Sequence, residues 1–307
     1  MKIACVYPDA LNWPKMRWVL EAFQRLGHTV CQVKDRDELQ AADNECDLIV
    51  FAHKGLAIRW PNMRDIALTR KALWCQWWFD LNALDHRLHF GEQDIQKLLG
   101  MDIVFVKERS LLNEYHTLGI NAVYLDQGCP QDMPYAEPQE REWDVLLWGQ
   151  GGANYRQRTK DAVKLAKAWL KVAWAGFPNV AIPNIPNNPI QRLPWTHPDK
   201  LPELASKARC VLSVGRRNNL DGYWSDAYWL ACGMGAVVLR RDTPGIPVGP
   251  AVALYSNNPV EAYHAAIELD GKENRKWVME NHTIEHRCRD LISIVHEAVR
   301  DAKVLAC

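Results

Sequence analysis

Short apolar runs of β character alternate with stretches of helical period, and the alternation occurs twice, on either side of a proline-rich polar segment. A strand that leads through a helix to another strand implies parallel pairing with right-handed crossovers. In the first half the runs are 2–7 (KIACVY), 29–33, 47–52 (DLIVFA), 72–79 (ALWCQWWF), 102–106 and 122–125. Between the first two, Met16, Val19, Leu20 and Phe23 fall at helical spacing, and Gly27 ends the pattern. Residues 129–142 carry three prolines and many polar side chains and read as a linker. In the second half, strands are expected at 143–148 (WDVLLW), 172–175, 210–214 (CVLSV), 236–239 and 251–255. Helices are expected at 156–170, 202–207, 226–233, 261–269 and 272–299, and a long surface loop at 178–198, which holds six prolines. The fold class expected is therefore α/β, with two similar Rossmann-like domains.

Composition agrees with two domains. The chain has 307 residues, 48% of them hydrophobic, enough for two cores that need no staples. The 37 basic and 37 acidic residues cancel, so the total charge demands neither a nucleic acid nor a membrane surface. The nine cysteines are odd in number, show no CxxC spacing and sit in apolar runs. That pattern suggests buried free thiols in a reducing compartment, hence a cytoplasmic protein without zinc. The first residues read as a strand rather than a signal peptide, and no apolar stretch reaches the 18 residues of a membrane span.

Ligands of open parallel sheets bind beyond the carboxyl ends of the strands, so polar residues there are the candidates. In the first half these are Asp9, His53 and Asp80. A carboxylate or imidazole at that edge can take a proton from an acceptor hydroxyl, Asp80 being the first choice as base. Helix capping by Asp9 and Asp80 is the simpler alternative. In the second half, Gly151, Gly152, Tyr155, Arg156 and Arg158 follow the first strand. Glycines let the backbone approach a phosphate, and arginines can neutralise it. A second loop supplies Arg216, Arg217, Asn218 and Tyr223 before a helix that opens at Ser225 and Asp226, with Trp224 beside them. Farther on stand Arg240, Arg241 and a Thr243-Pro244-Gly245 turn.

The stretch 221–246 (DGYWSDAYWLACGMGAVVLRRDTPGI) resembles glycosyltransferases of the GT-B fold, in the branch of spore-coat-maturation and phage-encoded enzymes. Residues 144–149 with 155–158 resemble the start of that family's second domain, and 121–133 the segment crossing into it. The resemblance implies two Rossmann-like domains facing each other across a cleft. Residues 1–130 would form an acceptor domain, joined by a C-terminal helix at about 290–307, and residues 143–289 a nucleotide-sugar donor domain. A UDP-sugar is the donor expected first, and no metal is expected, because arginines and helix starts can neutralise the leaving diphosphate. No DxD motif contradicts this: Asp35-Arg36-Asp37 precedes a helix and reads as its cap. The sequence departs from the family where many members carry Arg after the Ser-Asp pair and Glu three residues on; Ala227 and Leu230 stand there.

The acceptor has two readings. Residues 48–79 carry five basic residues, Lys54, Arg59, Arg64, Arg70 and Lys71, against Asp65 alone, interleaved with Trp60, Trp74, Trp77 and Trp78. Such a set can hold phosphates and stack on a flipped base, which suits a hydroxymethylated pyrimidine in DNA. The same tryptophans could stack on a glycan or small-molecule acceptor, or be core. An epimerase, or a catalytically degenerate nucleotide-sugar-binding protein, is the alternative from another class.

Overall fold

The computed structural model describes residues 1–6, 14–52, 71–77, 95, 98–150, 156–176, 185–215 and 225–305. The chain forms two compact units, one of Met1–Gly128 with Ile284–Cys307 and one of Cys129–Thr283.

Unit 1 opens with β1 (Lys2–Val6), α1 (Pro14–Arg25), β2 (Thr29–Val33), α2 (Arg36–Glu45), β3 (Leu48–Ala52) and β4 (Leu73–Trp77). It continues through β5 (Ile103–Val106), α3 (Leu112–Thr117) and β6 (Ala122–Tyr124). The six strands lie in the order β2-β1-β3-β4-β5-β6, with every pair parallel. Ile3 to Val6 and Val104 to Val106 are buried at every position, as strands covered on both faces must be. Gly27 ends α1 with φ +81°, and the His28 amide bonds back to the Phe23 carbonyl at 3.1 Å. This is the left-handed stop that glycine allows. Asp35 caps α2 as its sequence suggested: its carboxylate accepts the Glu38 amide at 2.9 Å, while Glu38 accepts the Lys34 amide at 2.7 Å.

The tryptophans of β4 are core. Trp74 and Trp77 are buried, and the Trp74 indole donates to Asp43 Oδ1 at 2.7 Å. Neither can stack on a base, which removes two of the four aromatic residues read as a stacking set; Trp60 and Trp78 lie outside the described residues. The short α3 was not apparent in the sequence, because its six residues span less than two turns.

Unit 2 contains β7 (Trp143–Trp148), α4 (Arg156–Lys167), β8 (Val172–Ala175), β9 (Gln191–Leu193), α5 (Leu201–Ala205) and β10 (Ala208–Ser213). After these come α6 (Asp226–Gly233), β11 (Val238–Arg241), β12 (Val252–Tyr255), α7 (Pro259–Ala266) and α8 (Gly271–Asn281). Its strands run β12-β11-β10-β7-β8-β9, again all parallel. Two sequence expectations are corrected here. The segment 178–198 is not all loop, because β9 pairs with β8 inside it. The strand contains none of the segment's prolines; Pro189 and Pro194 flank it, and it lies at the sheet edge. The helix expected over 272–299 is two helices, α8 and a final α9 (Ile284–Leu305). The break falls at His282 and Thr283, where Thr283 bridges to Cys129 and the Cys129 amide bonds the His282 carbonyl at 2.9 Å.

Helix α9 belongs to unit 1 and packs on α1, burying Cys288, Leu291 and Val295. Eight free cysteines lie among the described residues; only Cys31 is not buried. No helix among the described residues is long and apolar enough to cross a membrane.

Candidate functional site

The carboxyl edge of the unit 2 sheet gathers polar groups from three adjacent strands, β7, β10 and β11. Strand β7 is followed by Gly149, whose φ of +98° only glycine adopts without strain. A Cβ there would also meet the Arg158 guanidinium at 2.9 Å. Arg158, read from the sequence as a phosphate contact, is instead buried and donates inward. Its Nε and Nη2 bond the Val214 carbonyl at 3.1 and 2.8 Å, and Nη1 bonds the carbonyls of Gln150 and Trp148 at 2.8 and 3.3 Å. One cation thereby ties the turn after β7 to the end of β10. The helical period carried the signal: Arg158 shares its face of α4 with Ala162, Leu165 and Ala166, all buried.

A second buried arginine packs against the next helix. Arg240, from the end of β11, is 0% exposed. It donates to Ser213 Oγ on β10 at 3.1 Å and sits 5.2 Å from the ring centroid of Tyr228 on α6, within cation–π range. Tyr228 is fixed in turn, donating to the Pro247 carbonyl at 2.7 Å and accepting the Gly249 amide at 3.2 Å. Burial pushes its phenol pKa up, so it stays neutral. Helix α6 begins after Ser225, the residue in the capping position, yet Ser225 Oγ makes no capping hydrogen bond and has no partner among the described residues. A hydroxyl at the start of a helix whose Tyr228 packs on a buried cation is chemistry that suits a phosphate oxygen. The sequence reading left Arg240 out of the donor set, although a charge inside the apolar run VVLRR was visible.

On the opposite face of β11, Arg241 Nη1 lies 3.7 Å from Asp161 Oδ2. Asp161 also accepts from Gln157 Nε2 at 2.8 Å and from the Tyr255 hydroxyl at 3.1 Å. Burial raises its pKa against these hydrogen bonds and the pull of Arg241. This cluster braces α4 against β11 and β12.

Of the donor residues read from the sequence, Arg156 opens α4 exposed to solvent, and Ser225 and Asp226 open α6. Gly151, Gly152, Tyr155, Arg216, Arg217, Asn218 and Tyr223 lie outside the described residues. So do Asp9, His53 and Asp80. Strands β1, β3 and β4, which precede those three, are adjacent and parallel, so their carboxyl ends at Val6, Ala52 and Trp77 are side by side. Next along that edge, after β5 and β6, come the buried Lys107, Glu108 and Asp126, which the sequence reading did not single out. Among the described residues, no group of three His, Cys, Asp or Glu side chains is arranged to hold a metal ion.

No family model matches the chain, and no curated protein matches it in sequence. Solved structures share its fold at low identity. An α-glucosyltransferase in complex with UDP and a 13-mer DNA containing a central A:G mismatch is 13% identical, covers 96% of this chain and 100% of its own, and gives a TM-score of 0.73. An α-glucosyltransferase with UDP and a 13-mer DNA containing a HMU base is 12% identical, over 96% and 99%, at 0.70. A T4 phage glucosyltransferase in complex with UDP and Mn2+ is 15% identical, over 99% of each chain, at 0.57. The fold is thus the α/β architecture of GT-B glycosyltransferases, with two parallel-sheet units.

Proposed function

We propose that this chain is a glycosyltransferase that moves a sugar, glucose from UDP-glucose first among the candidates, to a hydroxymethyl group on a pyrimidine of DNA. The observation that carries the reading is the fold, shared over 96% of the chain with an α-glucosyltransferase solved with UDP and HMU-containing DNA. The chain's own chemistry supports it through Arg240 and Ser225 at the start of α6.

The donor lies at the carboxyl edge of unit 2. Arg156, Arg216 and Arg217 hold the diphosphate, with the backbone amides of Gly151 and Gly152 and the α6 start at Ser225 and Asp226. Asn218 borders it, and Tyr155 and Tyr223 flank the nucleotide or sugar. The buried Arg240, packed against Tyr228 of that helix, adds a fixed positive charge. In the reaction the acceptor oxygen forms a bond to the sugar C1 while the C1–O bond to the β-phosphate breaks. The hydroxyl proton passes to Asp80, or to Asp9 or His53, and UDP leaves with one more negative charge. A cation and helix amides set in place beforehand favour that charge without reorganisation. No step here uses a metal ion.

Thermal shift tests the donor site, because a ligand that binds only the native state raises the melting temperature. UDP-glucose, GDP-, ADP- and dTDP-sugars are compared, with and without EDTA, and mass spectrometry reads sugar transfer to HMU- or hydroxymethylcytosine-containing duplexes. A selective UDP-sugar shift with an added hexose mass on DNA is expected. A UDP-sugar shift with no transfer to DNA moves the acceptor to a glycan or small molecule. No shift at millimolar ligand overturns the reading. A catalytically degenerate binding protein is favoured by one observation: Leu230, where relatives carry a ribose-holding Glu, is buried in α6. Binding without turnover on any acceptor would establish it.

A further inference from the structure

The exposed side of α4 is basic from end to end. Arg156, Lys160, Lys164 and Lys167 are exposed, and the helix's one acidic residue, Asp161, is buried on the other side. At 3.6 residues per turn the four fall within an arc of about 80° and span about 16 Å of helix. Lys171, four residues beyond the helix, continues the exposed basic series. Among the described residues none of Arg156, Lys160, Lys167 and Lys171 forms an ion pair; Lys164 Nζ donates to the Asn257 carbonyl at 2.7 Å.

Helix polarity accounts for Lys164 and Lys167 in the last turn, but it disfavours Arg156 in the first turn and gives no reason for Lys160. Like charges at i,i+4 repel, and a chain with 37 basic and 37 acidic residues has acids enough to intersperse. Directly after the helix, Trp169 is 71% exposed and held at φ 65°. A bulky side chain in left-handed backbone is strained, and such strain clusters at functional positions. An indole on solvent beside a row of ammonium groups is the pairing that nucleic-acid surfaces use, cations for phosphate and an aromatic for sugar or base.

We propose that this face of α4, extended by Trp169 and Lys171, is a docking surface for the backbone of duplex DNA. The proposal rests on the DNA-acceptor reading above and adds to it a surface on unit 2. Charge complementarity selects the occupant: duplex DNA carries about one charge per 1.7 Å of axis, so a 16 Å stripe faces about ten. The stripe starts at Arg156, next to the donor loops, so DNA lying on it runs to the donor end of the unit.

The test is fluorescence anisotropy of a labelled 20-base-pair duplex between 50 and 200 mM KCl. Wild type is compared with Lys160→Gln/Lys167→Gln and with a charge-matched control on α8, Lys272→Gln/Lys276→Gln. Each lost phosphate contact lowers the log–log salt slope by about 0.9. The α4 double variant should therefore lose about 1.8 from its slope and up to about 60-fold in affinity at 0.1 M salt. Its melting temperature and its UDP-glucose shift should stay unchanged, and the control should bind as wild type. A wild-type protein that does not bind the duplex, an unchanged slope in the α4 variant, or an equal loss in the control overturns the proposal. Glucosylation of DNA with an unchanged slope sinks the docking surface alone. A reduced slope with no transfer by wild type sinks the acceptor reading alone.

Discussion

Replacing Arg158 by Met removes the cation that ties the turn after β7 to the end of β10, while keeping most of the buried stem. The guanidinium makes at least four hydrogen bonds to carbonyl oxygens, two of them at 2.8 Å, to Val214 and Gln150. A hydrogen bond from a charged donor contributes about 1.5–3 kcal/mol, so the two short ones alone represent roughly 3–6. Removing a buried cation also removes its desolvation penalty, which offsets part of this. The expected net loss is about 3 kcal/mol, a fall in melting temperature of about 6–12 °C for a unit of this size. Urea unfolding followed by tryptophan fluorescence measures it. The UDP-glucose shift should shrink as well, because Gln150 leads directly into the glycine turn that would hold phosphate. Arg158→Lys should recover less than half, since a single ammonium cannot serve three carbonyls in a fixed fork. A loss below 1 kcal/mol for Arg158→Met, or full recovery with Lys, would refute the argument that this arginine is the tie.

Three further outcomes are expected. Asp161 has a raised pKa, so the folded state holds its proton more tightly than the unfolded chain, and the stability it contributes is present below the ordinary Asp value of 3.8 and lost as pH rises through the folded value. The advantage of wild type over Asp161→Asn in urea unfolding should therefore shrink from pH 4 to pH 7; an advantage that grows over that interval would contradict the buried geometry. Trp169→Gly relieves left-handed backbone and, with the indole largely in water, should stabilise the protein by about 1 kcal/mol while weakening duplex binding, both read on the same preparation. Gly271→Ala would bring a Cβ to 2.1 Å from the Gly235 carbonyl oxygen, a backbone atom that cannot turn aside, and should cost about 3 kcal/mol in chemical denaturation.

The fold was legible because both sheets are parallel and buried on two faces, so their strands read as continuous apolar runs. Cys210 to Leu212 and Val145 to Leu147 are examples, and the expected bounds fall within two residues of the strands found. The parts that were not legible have local causes. Strand β9 is three residues long, two of them exposed, and makes its hydrogen bonds on one side only, so it leaves no apolar signature. The break between α8 and α9 carries no Gly or Pro. It is set by the pairing of Thr283 with Cys129 and by His282 stacking 4.7 Å from the Trp229 ring, contacts with distant residues that no local window contains. At the candidate site, an arginine after a glycine turn fits a phosphate contact and an internal strut equally well by residue type alone. The helical period separates them, placing Arg156 outward with Lys160 and Arg158 inward with Ala162. Arg240 was passed over because a strand with a charged end looks like a strand leaving the core, whereas this one ends beneath Tyr228.

Helix α9 has a consequence for how the chain is made. Its residues complete unit 1, yet they follow all of unit 2 in the sequence, a stretch of about 155 residues. At roughly 5–20 residues per second, the ribosome needs about 8–30 s to cross that stretch. For this interval α1 waits for the helix that packs on it in the finished protein. Unit 2 has no such wait: it is continuous, and its two ends are paired through Cys129 and Thr283. The nascent protein should therefore finish its second unit before its first, leaving α1 as the surface on which a chaperone acts during synthesis.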